Sequence, residues 1–314
     1  MINSPLQALL GIEYPILQGG MAWIADGCLA AAVSEAGGLG IIAAGNAPAS
    51  YVRAQIHIAR EKTQKPFGVN IMLMSPFADE VAKLVCEEGV KVVTTGAGNP
   101  QKYMAAFKEA DIKVIPVVAS VALAKLMTRV GASALIAEGG ESGGHVGELT
   151  TMALLPQIAD ATALPVIGAG GIADGRGFAA ALMLGASGVQ MGTRFLAATE
   201  CNAHQNYKNK VLKANDLSTV VTGKRLGHPV RGLKNQFTRE YLKAEYGGES
   251  DEELEKRGTG ALRMAAVEGD TDNGCVLAGQ IAAMVNREQS CAEIIGDMMK
   301  GAEEALRGAA KWLS

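Results

Sequence analysis

The chain has 314 residues, of which 48% are apolar and only 4% aromatic, and its formal net charge at pH 7 is −3. This length is typical of one α/β barrel with an insertion, and a core of that size needs no disulfides. The weak negative charge argues against nucleic acid as a partner, and the lack of a long apolar stretch argues against a membrane span. Residues 1–11 have no signal-peptide pattern and the five cysteines are scattered, so we expect a soluble, cytoplasmic protein with reduced thiols.

Short β-rich runs alternate with helical runs through the first two-thirds of the chain. The predicted strands are Pro15–Gln18, Leu39–Ala43, Phe67–Met72, Val90–Thr94, Lys113–Val117, Ala134–Glu138, Pro165–Ala169 and Gly188–Met191. The predicted helices are Leu29–Ala36, Ser50–Lys62, Ala78–Glu88, Pro100–Ala110, Val121–Val130, Met152–Ala161 and Arg176–Leu184. Most strands are continuous runs of Val, Ile and Leu, as in parallel sheets buried on both faces.

Eight such strands predict a TIM-type (β/α)8 barrel over residues 1–201. The alternative is an open, doubly wound sheet, which normally has a G-x-G-x-x-G loop after its first strand. The first predicted strand is followed by Gly19-Gly20-Met21 instead, which favours the barrel.

The pattern changes after the eighth strand. Residues 202–273 are polar and charged, and they predict a mostly helical insertion over the barrel mouth with no further strand–helix unit. Residues 274–314 predict a return segment and a C-terminal helix. Ser290 and Glu293 form a capping box at the start of this helix, and an apolar stripe from Ile294 to Leu306 should pack on the barrel.

The C-terminal ends of barrel strands form the active sites of such folds. The candidate ligand-binding residues at these ends are Gly19, Gly20, Met21, Ala22, Asn46, Asn70, Thr94, Glu138, Gly143, Gly144, Gly170, Gly171, Gln190, Gly192 and Thr193. So many small residues on one rim favour a large, flat ligand that approaches the backbone closely. The glycine pair after strand seven and Gly-Thr after strand eight predict a phosphate site of backbone N–H groups, aided by nearby helix N-termini. The alternative is tight turns without a ligand.

His145 is the candidate catalytic residue, because it alone among the four histidines follows a glycine-rich strand end. Its imidazole could donate a proton or a hydrogen bond near neutral pH. A solvent-exposed loop histidine is the alternative. No His, Cys and carboxylate spacing predicts a metal site.

The insertion also carries an uneven charge. Nine Lys or Arg residues against two acids lie between residues 201 and 243, followed by six acids against two bases up to residue 257. The basic segment could dock an anionic partner, or it could be an ordinary solvated surface.

Taken together, these motifs resemble the FMN-dependent enoyl-acyl-carrier-protein reductases of the second type, within the nitronate monooxygenase (2-nitropropane dioxygenase-like) superfamily. The motifs that carry the resemblance are Tyr14–Trp23, Lys65–Asn70, Gly89–Pro100, Gly143–Gly147, Ala169–Gly175, Gln190–Phe195, Asn202–His204 and Arg231–Gln236. The barrel motifs alone would also fit the monooxygenases, whereas the insertion and the Gly279–Gln280 segment favour the reductases.

The resemblance implies FMN as cofactor, NADH or NADPH as reductant and an enoyl chain on acyl carrier protein as substrate. It places His145 beside the flavin as donor to the substrate or its developing enolate. It also implies a homodimer and a response to a monovalent cation, whose position the sequence does not assign. Acidic carrier protein would then be steered by basic residues such as Lys224, Arg225 and Arg231.

Two other functions stay open at this point. A nitronate monooxygenase would use the same barrel with O2 and a histidine that abstracts a substrate proton. A non-enzymatic barrel would bind flavin or another phosphate ligand as a sensor or scaffold.

Overall fold

A computed structural model describes residues 2–312 of the chain. The eight barrel strands are β1 (Ile16–Gln18), β2 (Gly40–Ala43), β3 (Phe67–Met72), β4 (Val92–Gly96), β5 (Lys113–Val118), β6 (Leu135–Glu138), β8 (Val166–Ala169) and β9 (Gly188–Met191). They are paired in parallel in the order β1-β9-β8-β6-β5-β4-β3-β2. The predicted (β/α)8 barrel is therefore confirmed, with strand bounds that differ from the predicted ones by at most two residues.

The barrel closes between β1 and β2, where Leu17 forms a parallel bridge to Leu39. The buried side chain of Gln18 strengthens this seam: its amide donates to the carbonyl oxygen of Ile41 at 3.2 Å and accepts from the N–H of Ile41 at 3.1 Å. A buried amide must find such partners, since leaving them unpaired would cost free energy. The seam fixes β1, whose end begins the candidate site.

The helices surround this barrel. Those of the barrel region are α1 (Pro5–Leu10), α2 (Gly27–Glu35), α3 (Ala49–Lys62), α4 (Ala78–Glu87), α5 (Met104–Glu109), α6 (Val121–Arg129), α7 (Thr151–Ala161), α8 (Gly175–Met183) and α9 (Thr193–Leu196). Helix α1 was not predicted; Leu6 and Leu10 pack it against the core inside the barrel. The predicted helix Pro100–Ala110 begins as a 3-10 turn, Pro100–Tyr103, before α5.

The insertion is mostly helical, as predicted, and it also contains two strands that the sequence did not indicate. Its helices are α10 (Gln205–Leu212), α11 (Gln236–Gly247), α12 (Asp251–Gly258) and α13 (Ala261–Arg263), and a π-helical turn follows at Met264–Glu268. Strands β10 (Thr219–Thr222) and β11 (Val230–Leu233) form an antiparallel hairpin. Strand β11 also pairs with a two-residue strand, β7 (Gly144–His145), so the hairpin is joined to the loop that carries the candidate catalytic histidine.

The C-terminal helix α14 (Cys291–Gly308) packs on the barrel region. The capping box of Ser290 and Glu293 is present, and the apolar stripe is buried from Ile294 to Ala302. Helix α14 packs closely on α8, since a Cβ at Gly175 would lie 2.2 Å from the amide nitrogen of Ala302. Between residues 2 and 312, no helix combines the length and apolar character needed to cross a membrane.

Candidate active site

The ends of β9, β1, β3 and β4 form one continuous group of contacts. A Cβ at Gly19 would lie 3.1 Å from the amide carbon of Gln190, and a Cβ at Gly20 would lie only 2.5 Å from Cβ of Asn70. The Asn70 amide donates to the Thr94 hydroxyl at 2.9 Å. Five predicted site residues therefore meet on one arc of the rim; close approach requires glycine at Gly20, and the contact at Gly19 is tight.

Neighbouring predicted residues flank this arc. Met21 lies against Gly192, with Sδ 3.5 Å from the position of a glycine Cβ, and Ala22 lies against Gly45. Asn46, the residue after Gly45, is exposed at the rim. The first loop of the barrel thus spans from the end of β9 to the end of β2.

A second group of contacts joins the loop after β6 to the last two barrel loops. A Cβ at Gly143 would lie 2.8 Å from the amide nitrogen of Gly279, and that N–H donates to the Thr193 hydroxyl at 2.8 Å. A Cβ at Gly170 would lie 2.8 Å from the carbonyl oxygen of Gly139. The glycines after β6 and β8 therefore permit direct packing of backbone on backbone.

Glu141 anchors the loop after β6, a role the sequence did not indicate. Its carboxylate accepts from the N–H of Thr151 at 2.9 and 3.0 Å and from the Thr151 hydroxyl at 3.0 Å. Because Thr151 is the first residue of α7, a negative charge there also faces the positive end of the helix. Glu141 additionally lies 3.4 Å from the Cβ position of Gly171.

The predicted phosphate site differs from the expectation in one respect. Gly170 and Gly171 have φ of +86° and +73°, a backbone conformation that other residues rarely adopt. Yet the start of α8 is already capped, since the Asp174 carboxylate accepts from the N–H groups of Arg176 and Gly177. Helix α9 has only four residues. An anion there would depend on loop N–H groups and not on a helix N-terminus.

Glu138 is the titratable group at the end of β6, beside Ala169 of β8. Burial raises the pKa of Glu138 to about 7, and the nearby Ser142 hydroxyl opposes this shift only in part. A carboxyl group in so poorly solvated a place is half neutral near pH 7, so it can both donate and accept hydrogen bonds.

His145 is held by strand pairing. It lies opposite Val230 in the ladder between β7 and β11, and the next N–H, of Val146, donates to the carbonyl oxygen of Pro229 at 3.0 Å. The residue is exposed at the open mouth, yet the protein around its imidazole removes enough water to lower the pKa of His145, and the positive charge of His228 lowers it further. His145 is therefore neutral at pH 7 and retains one N–H donor.

Two of the three basic residues expected to face a carrier protein have other partners. Arg231 donates to the carbonyl oxygen of Gly140 from Nη2 at 2.9 Å and from Nε at 3.2 Å. Arg225 donates to the carbonyl oxygen of Glu245 at 3.0 Å and pairs with Asp251 at 2.9 Å. Of the three, only Lys224 is left exposed without an ion pair in the part of the chain that the structure describes. The sequence shows that all three residues are basic, but it does not show which of them have partners within the protein.

Thr95 Oγ1 and Arg194 Nη1 are buried near the strand ends and have no hydrogen-bond partner among the described residues. Thr95 adjoins the predicted Thr94, and Arg194 follows Thr193. Arg194 also lines a cavity of about 280 Å³ on the α14 side of the last loops, together with Asp174 and Arg287. Native proteins pair nearly all buried polar groups, so these atoms indicate a polar ligand or water. The sequence offered one clue to these residues, because each of them is next to a predicted site residue in the chain.

The sequence and fold are similar to those of known oxidoreductases. The model of the nitronate monooxygenase family matches residues 3–83 and 74–301. The structure of FabK from Thermotoga maritima is 49% identical, with a TM-score of 0.97, over 99% of this chain and 100% of that one. An octahydro-indene-carboxyl-CoA dehydrogenase from Mycobacterium tuberculosis is 34% identical over 98% of both chains. A probable nitronate monooxygenase from Staphylococcus saprophyticus is also 34% identical, over 97% of this chain and 99% of the relative.

These matches extend over almost the whole barrel, the insertion and most of α14, so they concern the complete fold and not one motif. The relatives named here are oxidoreductases. The chain belongs to the nitronate monooxygenase family of oxidoreductases.

Proposed function

We propose that the chain is an FMN-dependent enoyl-acyl-carrier-protein reductase of fatty acid synthesis. The observation that carries the proposal is the near-complete structural match to FabK at 49% identity, which includes the insertion that holds His145. The relative from Mycobacterium tuberculosis is by its name a dehydrogenase of a carboxyl-CoA, which supports a thioester as the substrate class.

The residues at the mouth fit FMN. Gly19 and Gly20 let the side chains of Gln190 and Asn70 pack directly on the backbone of the first loop, which brings both amides to the mouth as partners for the polar atoms of a flat ring. The unpartnered Thr95 hydroxyl and the half-neutral Glu138 suit the polar edge and ribityl chain. Consecutive positive-φ glycines after β8 suit a phosphate group.

Bound FMN would supply hydride chemistry: hydride from NADH or NADPH would reach the β-carbon of a trans-2-enoyl thioester, and a proton would add to the α-carbon. The protein's part is to orient the thioester and to stabilise charge on its carbonyl oxygen. His145 is neutral at pH 7, so we assign its N–H as a hydrogen-bond donor to that oxygen as enolate character develops. Asn70, Thr94, Gln190 and Glu138 would hold the cofactor. A homodimer, a cytoplasmic location and a monovalent cation belong to the same proposal.

The test is NADH oxidation with crotonyl-carrier protein, with and without added FMN and potassium. We expect rapid anaerobic bleaching of the flavin by NADH, followed by enoyl-dependent reoxidation. His145→Ala should retain FMN and lose most enoyl reduction. If His145→Ala is fully active, His145 has no role in the mechanism.

Nitronate monooxygenase activity is the second candidate, because the family model and the relative from Staphylococcus saprophyticus favour it. O2 consumption with an alkyl nitronate measures it directly. Fast nitronate oxidation without flavin bleaching by NADH would replace the reductase proposal.

A further inference from the structure

The basic residues of the insertion divide into those used inside the fold and those left at its surface. The ammonium group of buried Lys208 donates to the carbonyl oxygen of Ala198 at 2.8 Å. Arg225 and Arg231 have the internal partners described above. The side chains of these three residues are bound within the protein. A partner protein would therefore be recognised by other basic residues of the insertion.

Three other lysines line a cavity of about 250 Å³ between α10 and the hairpin: Lys210, Lys213 and Lys234. Lys210 pairs with Asp272 at 3.3 Å. Lys213 and Lys234 are exposed and have no ion pair within residues 2–312. Asp216 is the other acid in this stretch, so positive charge remains in excess.

An apolar side chain lies within this basic surface. Leu217 is 72% exposed and precedes Ser218, which also lines the cavity. The carbonyl oxygen of Ser218 accepts from the N–H of Lys234 at 2.8 Å, so both sides of the surface belong to one rigid unit. An exposed leucine next to a lysine-rich surface is complementary to an acidic surface that carries an apolar residue.

The surface is continuous with the catalytic loop. Strand β11 begins at Val230, opposite His145, and Lys234 directly follows its last residue. Four residues at about 3.3 Å each place the Cα of Lys234 about 13 Å along the strand from that of Val230. A long thioester arm must bridge a separation of this kind between a docked carrier and the reacting carbons.

We propose that the surface of Lys210, Lys213, Leu217 and Lys234 docks the acidic face of the acyl carrier protein. The proposal rests on the function proposed above and specifies where its protein substrate binds. Of the three basic residues expected from the sequence, Arg225 and Arg231 have internal partners, whereas Lys224 is exposed but is not part of this surface.

The test compares the K213E/K234E double variant with the wild type and with K125E, a reversal at an exposed lysine on α6. For crotonyl-carrier protein, we expect K213E/K234E to raise KM about tenfold with unchanged kcat, and K125E to have no effect. For the crotonyl thioester of N-acetylcysteamine, both variants should match the wild type. Tm and FMN content establish that each variant is folded, and the milder K213Q/K234Q should give a smaller increase in KM.

Two outcomes would overturn the docking surface. Equal KM changes for the carrier and the N-acetylcysteamine thioester would mean a general defect of the site. An increase for crotonyl-CoA as large as that for the carrier would mean that the lysines bind phosphate groups instead. Direct binding of holo-carrier protein to the wild type, followed by fluorescence anisotropy, separates docking from turnover: binding that is lost in K213E/K234E supports the surface even if no enoyl reduction occurs.

Discussion

The guanidinium group of Arg231 holds the carbonyl oxygen of Gly140 with two N–H groups, at 2.9 and 3.2 Å. Arg231 also lies opposite Gly144 in the ladder between β11 and β7. Arg231, a residue of the insertion, therefore contacts both ends of the segment from Gly140 to Gly144, which precedes His145.

Arg231→Met should loosen this loop while leaving the cofactor-binding arc intact. Hydrogen bonds from a charged donor contribute about 1.5–3 kcal/mol, so we expect kcat for enoyl reduction to fall about tenfold or more. FMN affinity, measured by quenching of flavin fluorescence, should change less than about twofold. Lys224→Met, at an exposed position beside the same hairpin, is the matched control. Wild-type kcat in Arg231→Met would show that the loop keeps its position without this contact.

Gly20→Ala should weaken FMN binding. The new Cβ would lie 2.5 Å from Cβ and 2.7 Å from Cγ of Asn70, closer than atoms pack, so Asn70 and its hydrogen bond to Thr94 must shift. We expect the Kd for FMN to rise about tenfold or more, which corresponds to about 1.4 kcal/mol. Gly296→Ala is the control, because a Cβ there meets no atom within 4 Å in α14 and alanine favours a helix. Unchanged FMN affinity in Gly20→Ala would contradict the assigned cradle.

Glu138 should make the FMN-free protein less stable as pH rises. The pKa of Glu138 is about 7 in the fold against an ordinary value of 4.5, so the folded state binds the proton more tightly. The free energy of unfolding should fall between these two pH values, by at most about 1.4 kcal/mol per pH unit, and level off above pH 7. Glu138→Gln should be the more stable protein above pH 7 and lose this advantage near pH 4.5. Urea denaturation at several pH values measures the difference, and parallel curves for the two proteins would refute the raised pKa.

His228→Asn should raise the pKa of His145. Burial is the larger cause of the lowered pKa of His145. The substitution removes only the smaller cause, which is the charge of His228. NMR titration of the His145 ring measures the change, and the acid limb of the pH–rate profile should move to higher pH with it. His57→Gln, at a histidine that pairs with Glu88 instead, should leave the His145 titration unchanged. An identical titration in His228→Asn would exclude coupling between the two rings.

Burial explains why the barrel could be predicted from the sequence. Its strands are short apolar runs shielded on both faces, and their bounds follow from the residues themselves. The hairpin of β10 and β11 could not be predicted in this way, because it is stabilised partly by pairing with Gly144 and His145, which are distant in sequence. A four-residue strand such as Val230–Leu233 has no pattern of its own that distinguishes it from a loop.

The candidate site, like the fold, could be predicted only where the local sequence determines it. Residue types at strand ends predicted which glycines and amides line the mouth, but not that Gly20 packs on Asn70 or that Gly143 packs on Gly279. Arg225 and Arg231 were misassigned because a sequence reports charge and not the partner that neutralises or holds it. Glu141 was missed because its partner, Thr151, becomes adjacent only when α7 begins at that residue.

The three-stranded sheet of β10, β11 and β7 couples the insertion to the loop that carries His145. Because β11 pairs with β10 on one side and with β7 on the other, the hairpin cannot leave this place unless the backbone at His145 moves with it or the ladder breaks. The position of this imidazole therefore depends on a part of the chain that is distant in sequence.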